Sequence, residues 1–260
     1  MAESQTADTH KPFGQFGNPG ERAAGLQRYL QTVPRENVEG KPWEVIDEIE
    51  KFADRDGLPM LFRKAKREVV REALTNMEPK PKVIVEFGTF VGTSAIAWGA
   101  ILRELNGPDA KDIHVYTFEL DPQIAQGARD AVKLAHLDDV VTVCEGSGSD
   151  SLRKLYAEGL VKEHGVDMVF MDHWEKFYLP DLELCEELKL FREGSLAVAD
   201  NVDFPGAPDY HAYVKKGGSG KDGAVRYETK SVQVTEQQHH GPARHPGPKI
   251  VEISKIVQAA

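Results

Sequence analysis

The sequence predicts an α/β fold in which helices cover a seven-stranded, mostly parallel sheet with an antiparallel hairpin at one edge. Three observations support this prediction. Strand-like and helix-like segments alternate between residues 82 and 216. The strand-like runs are apolar without polar alternation, as in parallel strands that are buried on both faces. Near the end of the chain, two strand-like segments follow each other with no convincing helix between them.

The alternating segments form a βαβ series, which predicts parallel strands joined by right-handed crossovers. The predicted strands of this series are 82–87, 114–120, 140–145, 168–171 and 195–199. The predicted helices that follow them are 93–105, 122–136, 149–158, 179–190 and 207–216. The closing hairpin is predicted from 224–234 and 249–257, with the His-, Pro- and Gly-rich segment 238–248 as its loop.

Two further helices are predicted before this series. Apolar residues at helical spacing predict a helix over 43–53, and a second one is predicted over about 63–77. The segment 56–62 between them is predicted to be a loop that hangs over a site. Residues 1–20 are polar and rich in Gly and Pro, which predicts a flexible leader. Residues 21–260 are predicted to form a single domain.

The composition limits the possible partners. The 260-residue chain has a formal net charge of −10, which disfavours nucleic acid and anionic membranes because both require a basic surface. No apolar stretch approaches the roughly 20 residues that span a bilayer, and the N-terminus lacks a secretory signal core. Cys144 and Cys185 lack metal-ligand spacing and are expected to be buried thiols. We therefore expect a soluble, cytoplasmic protein, and the oligomeric state stays open.

Acidic residues end two of the predicted strands. The apolar run 168–171 leads into Asp172, and the run 195–199 leads into Asp200 and Asn201. In open α/β sheets, ligands bind just beyond the carboxyl ends of the strands. These three oxygen donors are therefore expected to converge as a site for a hard cation such as Mg²⁺. The alternative is that they are ordinary surface groups at strand ends.

The turn after the first predicted strand indicates a nucleotide-type ligand. Gly88 and Gly92 frame this turn, where glycine lets the backbone approach a ligand and the next helix offers free N–H groups. The spacing is not GxGxxG and no GKS or GKT phosphate loop is present, so a dinucleotide or a triphosphate is disfavoured. The second strand leads to Glu119, which could accept hydrogen bonds from ribose hydroxyls. This combination indicates S-adenosylmethionine (SAM), with a nicotinamide-dependent oxidoreductase as a weaker alternative.

Five segments together resemble the catechol O-methyltransferase family: VEFGTFVGTSA, FELDP, MVFMDHW, YLPD and ADNVDFPGAPD. The resemblance extends from about residue 43 to residue 257. It implies the Rossmann-like sandwich of class I SAM-dependent methyltransferases. It also implies a Mg²⁺-dependent enzyme that transfers a methyl group from SAM to a hydroxyl of a catechol-type small molecule.

The resemblance also assigns roles to the matched residues. It implies Mg²⁺ ligands that would hold two vicinal hydroxyls of the substrate: Asp172, Asp200 and Asn201. It implies a cofactor site in which Gly88, Phe90 and Ser94 hold the methionine part of SAM and Glu119 holds the ribose. Gly148 and Ser149 would lie near the adenine, and His173 and Trp174 would form the wall on the adenine and sulfonium side. Met60 and Pro205 would flank the catechol ring. For Met60, Pro205 and Trp174, simple packing or turn formation is the alternative.

The chain departs from the family at the general base. The family has a lysine directly after Asp-His-Trp, whereas this chain has Glu175 there and Lys176 one residue later. One residue in a helix corresponds to about 100° of rotation, so Lys176 would need a backbone change to reach the same point. Three interpretations are open. Glu175 accepts the proton, Lys176 reaches the site through a shifted turn, or the site is impaired and the chain is a SAM-binding protein without catalysis.

A second departure concerns the glutamate that the family uses in its closing hairpin to hold the second substrate hydroxyl. Glu236 and Glu228 are the candidates for this role. The segment TEQQHHGPARHPGP differs too much from the family for a firm alignment. The sequence therefore does not reveal which catechol or which hydroxyl would be preferred.

Overall fold

A computed structural model describes residues 19–234 and 249–260 of the chain. Its strands are β1 (Val83–Phe87), β2 (His114–Glu119), β3 (Val141–Glu145), β4 (Val166–Met171), β5 (Phe191–Ala199), β6 (Arg226–Val234) and β7 (Lys249–Gln258). They form one sheet in the order β3-β2-β1-β4-β5-β7-β6. The first five strands are parallel, and β7 runs antiparallel to both of its neighbours. The predicted fold class is confirmed.

The helices lie before and between these strands. Those before the sheet are α1 (Pro19–Thr32), α2 (Arg35–Val38), α3 (Pro42–Asp56) and α4 (Lys64–Thr75). Those within the series are α5 (Thr93–Asn106), α6 (Pro122–Leu134), α7 (Gly148–Ala157), α8 (Tyr178–Glu187) and α9 (Pro208–Lys215). Two short turns matter for the site, a 3₁₀ turn over Glu175–Phe177 and a π-type turn over Val202–Gly206. The predicted helices agree with the observed ones to within a few residues.

Helices α1 and α2 were not expected from the sequence. Gly25 interrupts the apolar pattern of α1, in which Ala23 and Leu26 are the buried apolar residues, so helical periodicity is weak there. Because α1 begins at Pro19, the last two residues of the predicted leader are helical. The remainder of that leader and the predicted loop 238–248 lie outside the described residues.

The closing pair of strands places β7 next to the parallel part of the sheet. Ala199 of β5 pairs with Glu252 of β7, and Val251 pairs with Val232 of the edge strand β6. The antiparallel hairpin is therefore present, with its second strand inserted between β5 and its first strand. This arrangement brings the end of β6 and the start of β7 close to the carboxyl end of β5.

A hydrophobic core lies on each face of the sheet. On one face, Trp98 of α5 packs edge-on against Phe170 of β4 with ring centroids 5.2 Å apart, and both are fully buried. On the other face, Tyr178 of α8 is fully buried, and Cys185 there is a free, buried thiol as expected. Among the described residues, no helix has the length and apolar character needed to cross a membrane.

One buried carboxyl group lies within the central strand β1. The Glu86 side chain is inaccessible to solvent; it accepts a hydrogen bond from Trp98 Nε1 at 3.0 Å and one from the Thr117 hydroxyl at 2.5 Å. Burial raises the pKa of Glu86 to about 7, although its hydrogen bonds act in the opposite direction. The folded protein therefore binds a proton at Glu86 more tightly than the unfolded chain does.

We expect Glu86 to make stability depend on pH between about 4.5 and 7. The stabilisation from the protonated group is complete below the unfolded pKa and is lost as the pH rises through the folded pKa. The free energy of unfolding should fall by up to about 3 kcal/mol across this window. Glu86→Gln, which resembles the protonated acid, should flatten the profile. Denaturant unfolding of both proteins at several pH values measures the difference, and parallel profiles would contradict the expectation.

Candidate active site

Two carboxylates follow neighbouring central strands. Asp172 comes directly after β4 and Asp200 directly after β5, and the last residues of these strands, Met171 and Ala199, pair with each other. The Asp200 N–H donates to the Met171 carbonyl at 3.0 Å. The Asp200 side chain is almost completely buried. The structure therefore brings these two predicted metal ligands to the same edge of the sheet.

Asn201, the third predicted ligand, adjoins Asp200 and has a left-handed backbone conformation with φ of 56°. Its side-chain Nδ2 donates to the Phe204 carbonyl at 3.0 Å, inside the Val202–Gly206 turn. This hydrogen bond restrains the amide and does not involve Oδ1, which is the atom that a hard cation would bind. All three predicted ligands thus lie at one end of β4 and β5.

A lysine that the sequence reading missed contacts Asp200. Lys66 Nζ on α4 lies 2.6 Å from Asp200 Oδ1 and 2.7 Å from Oδ2, and both side chains are 4% exposed. Lys66 precedes Val70 by one helical turn and shares its buried face, as does Leu74. The signal in the sequence was a lysine on the apolar face of a predicted helix, which indicates a buried charge that needs a partner.

The electrostatics of this edge fit a divalent cation. Burial raises the pKa of Asp172 well above its usual range, and the charge of Asp200 raises it further, while Lys66 acts in the opposite direction. A divalent cation would relieve the repulsion between these two carboxylates, of which Asp200 is buried and Asp172 partly buried. Among the described residues, no three His, Cys, Asp or Glu side chains cluster tightly enough to hold a metal. Asn201 and water or substrate oxygens would therefore have to complete the coordination.

The two candidate bases have different surroundings. Glu175 is partly buried, burial raises its pKa, and the charge of Asp200 adds to the effect. Lys176 is exposed, with Nζ 4.9 Å from the centroid of the Trp174 ring and 4.8 Å from that of Phe177. Glu175 therefore interacts electrostatically with the carboxylate pair, whereas Lys176 packs on two aromatic rings.

Apolar side chains are exposed around this edge. Trp174 and Phe177 are 61% and 44% exposed, and their rings are nearly parallel. Met60, in the loop between α3 and α4, is 51% exposed, and that segment is a loop as predicted. Pro205 is also exposed and lies in the Val202–Gly206 turn, which contacts the turn over 175–177. The core alternative for Met60 is thus wrong.

The turn after β1 is held by protein contacts on both sides. A Cβ atom on Gly88, whose φ is 101°, would lie well inside van der Waals contact with the Asp172 carbonyl oxygen. Gly88 is thus needed for a close approach to the chain after β4, whereas the sequence reading attributed it to ligand approach. On the other side, the Phe90 N–H donates to Glu119 Oε2 at 2.8 Å. Glu119 keeps further lone pairs for other donors. Ser94 is buried, and its hydroxyl bonds to Glu86.

A second missed residue, Asp181 of α8, joins two predicted cofactor residues. The Ser149 hydroxyl donates to Asp181 Oδ1 at 2.6 Å, and His173 Nε2 lies 2.8 Å from Oδ2. The His173 ring stacks on Phe87, and its buried Nδ1 has no hydrogen-bond partner among the described residues. Gly148 packs directly on Phe87, where a Cβ atom would clash. Gly148, Ser149 and His173 therefore form one cluster, and Asp181 connects two of its members.

Glu228, one of the two candidate hairpin glutamates, does not lie at this edge of the sheet. Glu228 is exposed and pairs with Lys255, four residues along β6 from the Val232–Val251 pair. Four residues of strand correspond to about 13 Å, so Glu228 is a wrong candidate for the site. Glu236 lies outside the described residues.

The fold and this edge of the sheet are those of a class of proteins, the methyltransferases. Residues 85–202 match the family model of a methyltransferase domain. An O-methyltransferase from Bacillus cereus, solved in complex with SAH, superposes with a TM-score of 0.62 at 19% identity, covering 93% of this chain and 100% of that chain. The O-methyltransferase TomG from Streptomyces achromogenes, solved with SAM, gives 0.60 at 21% identity over 92% and 98%. These likenesses show the methyltransferase fold.

Sequence relatives identify the family. Catechol O-methyltransferase from Bos taurus is 36% identical over 73% of this chain, which spans 65% of that relative's length. Catechol O-methyltransferase B from Danio rerio is 33% identical over 77% of this chain and 72% of the relative. The enzyme from Mus musculus is 32% identical over 73% and 67%. The chain belongs to the catechol O-methyltransferase family, which confirms the resemblance.

We expect Gly88→Ala to destabilise the protein more than Gly107→Ala. Both positions have a similar positive φ, but a Cβ on Gly107 would have no heavy atom within 4 Å. The control should therefore lose only the strain of its positive φ, about 1–3 kcal/mol. Gly88→Ala should lose a further ~1–3 kcal/mol because the Cβ collides with backbone. Denaturant unfolding measures both values, and equal losses would contradict the contact with Asp172.

Proposed function

We propose that the protein catalyses Mg²⁺-dependent transfer of a methyl group from SAM to a hydroxyl of a catechol-type small molecule. The observation that carries this proposal is the pair of carboxylates, the partly buried Asp172 and the buried Asp200, side by side at the carboxyl ends of β4 and β5. Membership in the catechol O-methyltransferase family supports both the reaction and the substrate class.

The cofactor would occupy the cleft between the β1 turn and α7. SAM supplies a methyl group on a positively charged sulfur, which an oxygen nucleophile can displace. The Gly88–Phe90 turn would contact the methionine part, and Glu119, which already fixes Phe90, would accept hydrogen bonds from the ribose. Ser149 and His173 would contact the adenine, held in place by Asp181. Ser94 would act indirectly, since its hydroxyl is engaged with Glu86.

The substrate would lie over the carboxylate pair. Asp172, Asp200 and Asn201 would hold Mg²⁺, whose chemistry is to bind two vicinal oxygens and to lower the pKa of the phenol. Met60, Trp174 and Pro205 are exposed apolar groups that would cover the flat ring. Such orientation of the reacting oxygen would supply most of the rate enhancement.

Glu175 would accept the phenol proton. Burial raises its pKa, and a carboxylate whose pKa is raised towards neutrality is a better proton acceptor. With its proton held by Glu175, the phenol oxygen would be free to accept the methyl group, which SAM would supply from its sulfonium while the sulfur leaves as a neutral thioether. Lys176 would not take the proton, and its role would be to pack on the rings of Trp174 and Phe177. The alternative is a SAM-binding protein without catalysis, motivated by the exchange of lysine for glutamate at this position.

The direct test is methyl transfer from labelled SAM to a simple catechol, with Mg²⁺ and with EDTA. We expect turnover with Mg²⁺ and its loss with the chelator. SAM binding by calorimetry without turnover on any of several catechols would favour the binding protein. Turnover that is unaffected by EDTA would contradict the metal assignment to Asp172, Asp200 and Asn201.

We expect Glu175→Gln and Lys176→Met to separate the two candidate bases. The first variant should lower kcat by roughly 10²–10⁴-fold, the usual contribution of a general base, and should leave SAM affinity unchanged. The second should leave kcat nearly unchanged, because Lys176 packs on the exposed rings. Steady-state kinetics and calorimetry measure both effects. A large loss in Lys176→Met with none in Glu175→Gln would reverse the assignment.

A further inference from the structure

We propose that Lys66 is a resident cation that competes with the divalent metal for Asp200 and so limits metal affinity. This inference rests on the metal site of the proposed function. Its basis is the contact of Lys66 Nζ with both carboxylate oxygens of Asp200, at 2.6 and 2.7 Å. These are the oxygens that would otherwise be available to Mg²⁺.

The ammonium group is held in this position by the fold. The side chains of Lys66 and Asp200 are both 4% exposed, so water cannot take the place of either hydrogen-bond partner. The Lys66 ammonium also lies 5.8 Å from the Phe62 ring. The neighbouring Arg67 donates to the Phe62 carbonyl and to Glu50, which anchors the start of α4. The lysine is therefore a fixed part of the site.

The position of Lys66 gives it an electrostatic role. Asp172, Asp200 and Glu175 place three carboxyl groups at this edge, where burial and the charge of Asp200 raise the pKa of both Asp172 and Glu175. When all three carboxyl groups are ionised, the ammonium group leaves two net negative charges, which one divalent cation neutralises. An ammonium that donates to a carboxylate has no lone pair to accept a phenol proton. Lys66 consequently acts through Asp200, as a positioning residue.

Two consequences follow from this role. Before a metal binds, Lys66 compensates the charge of the buried Asp200, and this stabilises an otherwise repulsive pair of carboxylates. When a metal binds, the ammonium repels it at short range and must give up part of its contact with Asp200. Removal of the ammonium should therefore destabilise the metal-free protein and strengthen metal binding.

The test measures Mn²⁺ binding by electron paramagnetic resonance in the full chain, without substrate. We expect Lys66→Met to bind Mn²⁺ roughly tenfold tighter or more, because a nearby positive charge is removed. Lys66→Arg keeps the charge and should not bind more tightly than the wild type. Lys176→Met is the matched control: it also removes one lysine charge near the site, but it does not contact Asp200, and its affinity should stay close to that of the wild type.

Thermal unfolding gives a second readout. Lys66→Met should melt at a lower temperature than the wild type without metal and should gain more from added Mn²⁺. If the variant folds only with Mn²⁺, that rescue supports the proposal. Unchanged or weaker Mn²⁺ binding by Lys66→Met, or misfolding that Mn²⁺ does not rescue, would overturn it. If the wild type shows no saturable Mn²⁺ binding, or if Asp200→Asn leaves its Mn²⁺ binding unchanged, the metal site itself is wrong.

Discussion

The repulsion between Asp172 and Asp200 is the constraint on which the rest of the site depends. The direct pairing of Met171 with Ala199 forces the two following residues together. Two neighbouring carboxylates in this position, Asp200 buried and Asp172 partly buried, are unfavourable unless a cation or a proton compensates them. Lys66 supplies one positive charge from α4. The helices before the sheet are thus part of the site, since they bring the compensating charge to it.

The same edge links the carboxylate pair to the proposed cofactor cleft. The backbone of Gly88 touches the carbonyl of Asp172, so the β1 turn and the chain after β4 cannot move independently. On the far side, Asp181 joins His173, which follows Asp172, to Ser149 at the start of α7. A single segment, 172–181, therefore reaches both the β1 turn and the start of α7. This explains how one short sequence can position a metal ligand, a base and a cofactor contact together.

Much of this arrangement could be predicted from the sequence, and the exceptions have physical reasons. Apolar runs ending in Asp172 and Asp200 predict strands and the edge where ligands bind, because buried parallel strands have a distinctive pattern. Lys66 was missed because its role depends on a contact 134 residues away in the chain, which no local pattern encodes. Asp181 was missed as a linking residue for a related reason, since its partners lie on other elements. Helix α1 lacks the apolar periodicity that a prediction requires.

The choice between Glu175 and Lys176 shows where sequence comparison needs structure. A lysine must be neutral to accept a proton, whereas a glutamate must be charged, so burial favours the proton-accepting form of lysine and disfavours that of glutamate. Nearby cations favour the neutral amine and the charged carboxylate alike. A glutamate at the family's lysine position is therefore chemically able to serve the same step, provided that burial keeps its pKa from falling too far. Burial does raise the pKa of Glu175, whereas Lys176 is drawn away by the exposed rings of Trp174 and Phe177. The exchange then changes the charge of the site while it leaves the direction of proton transfer intact.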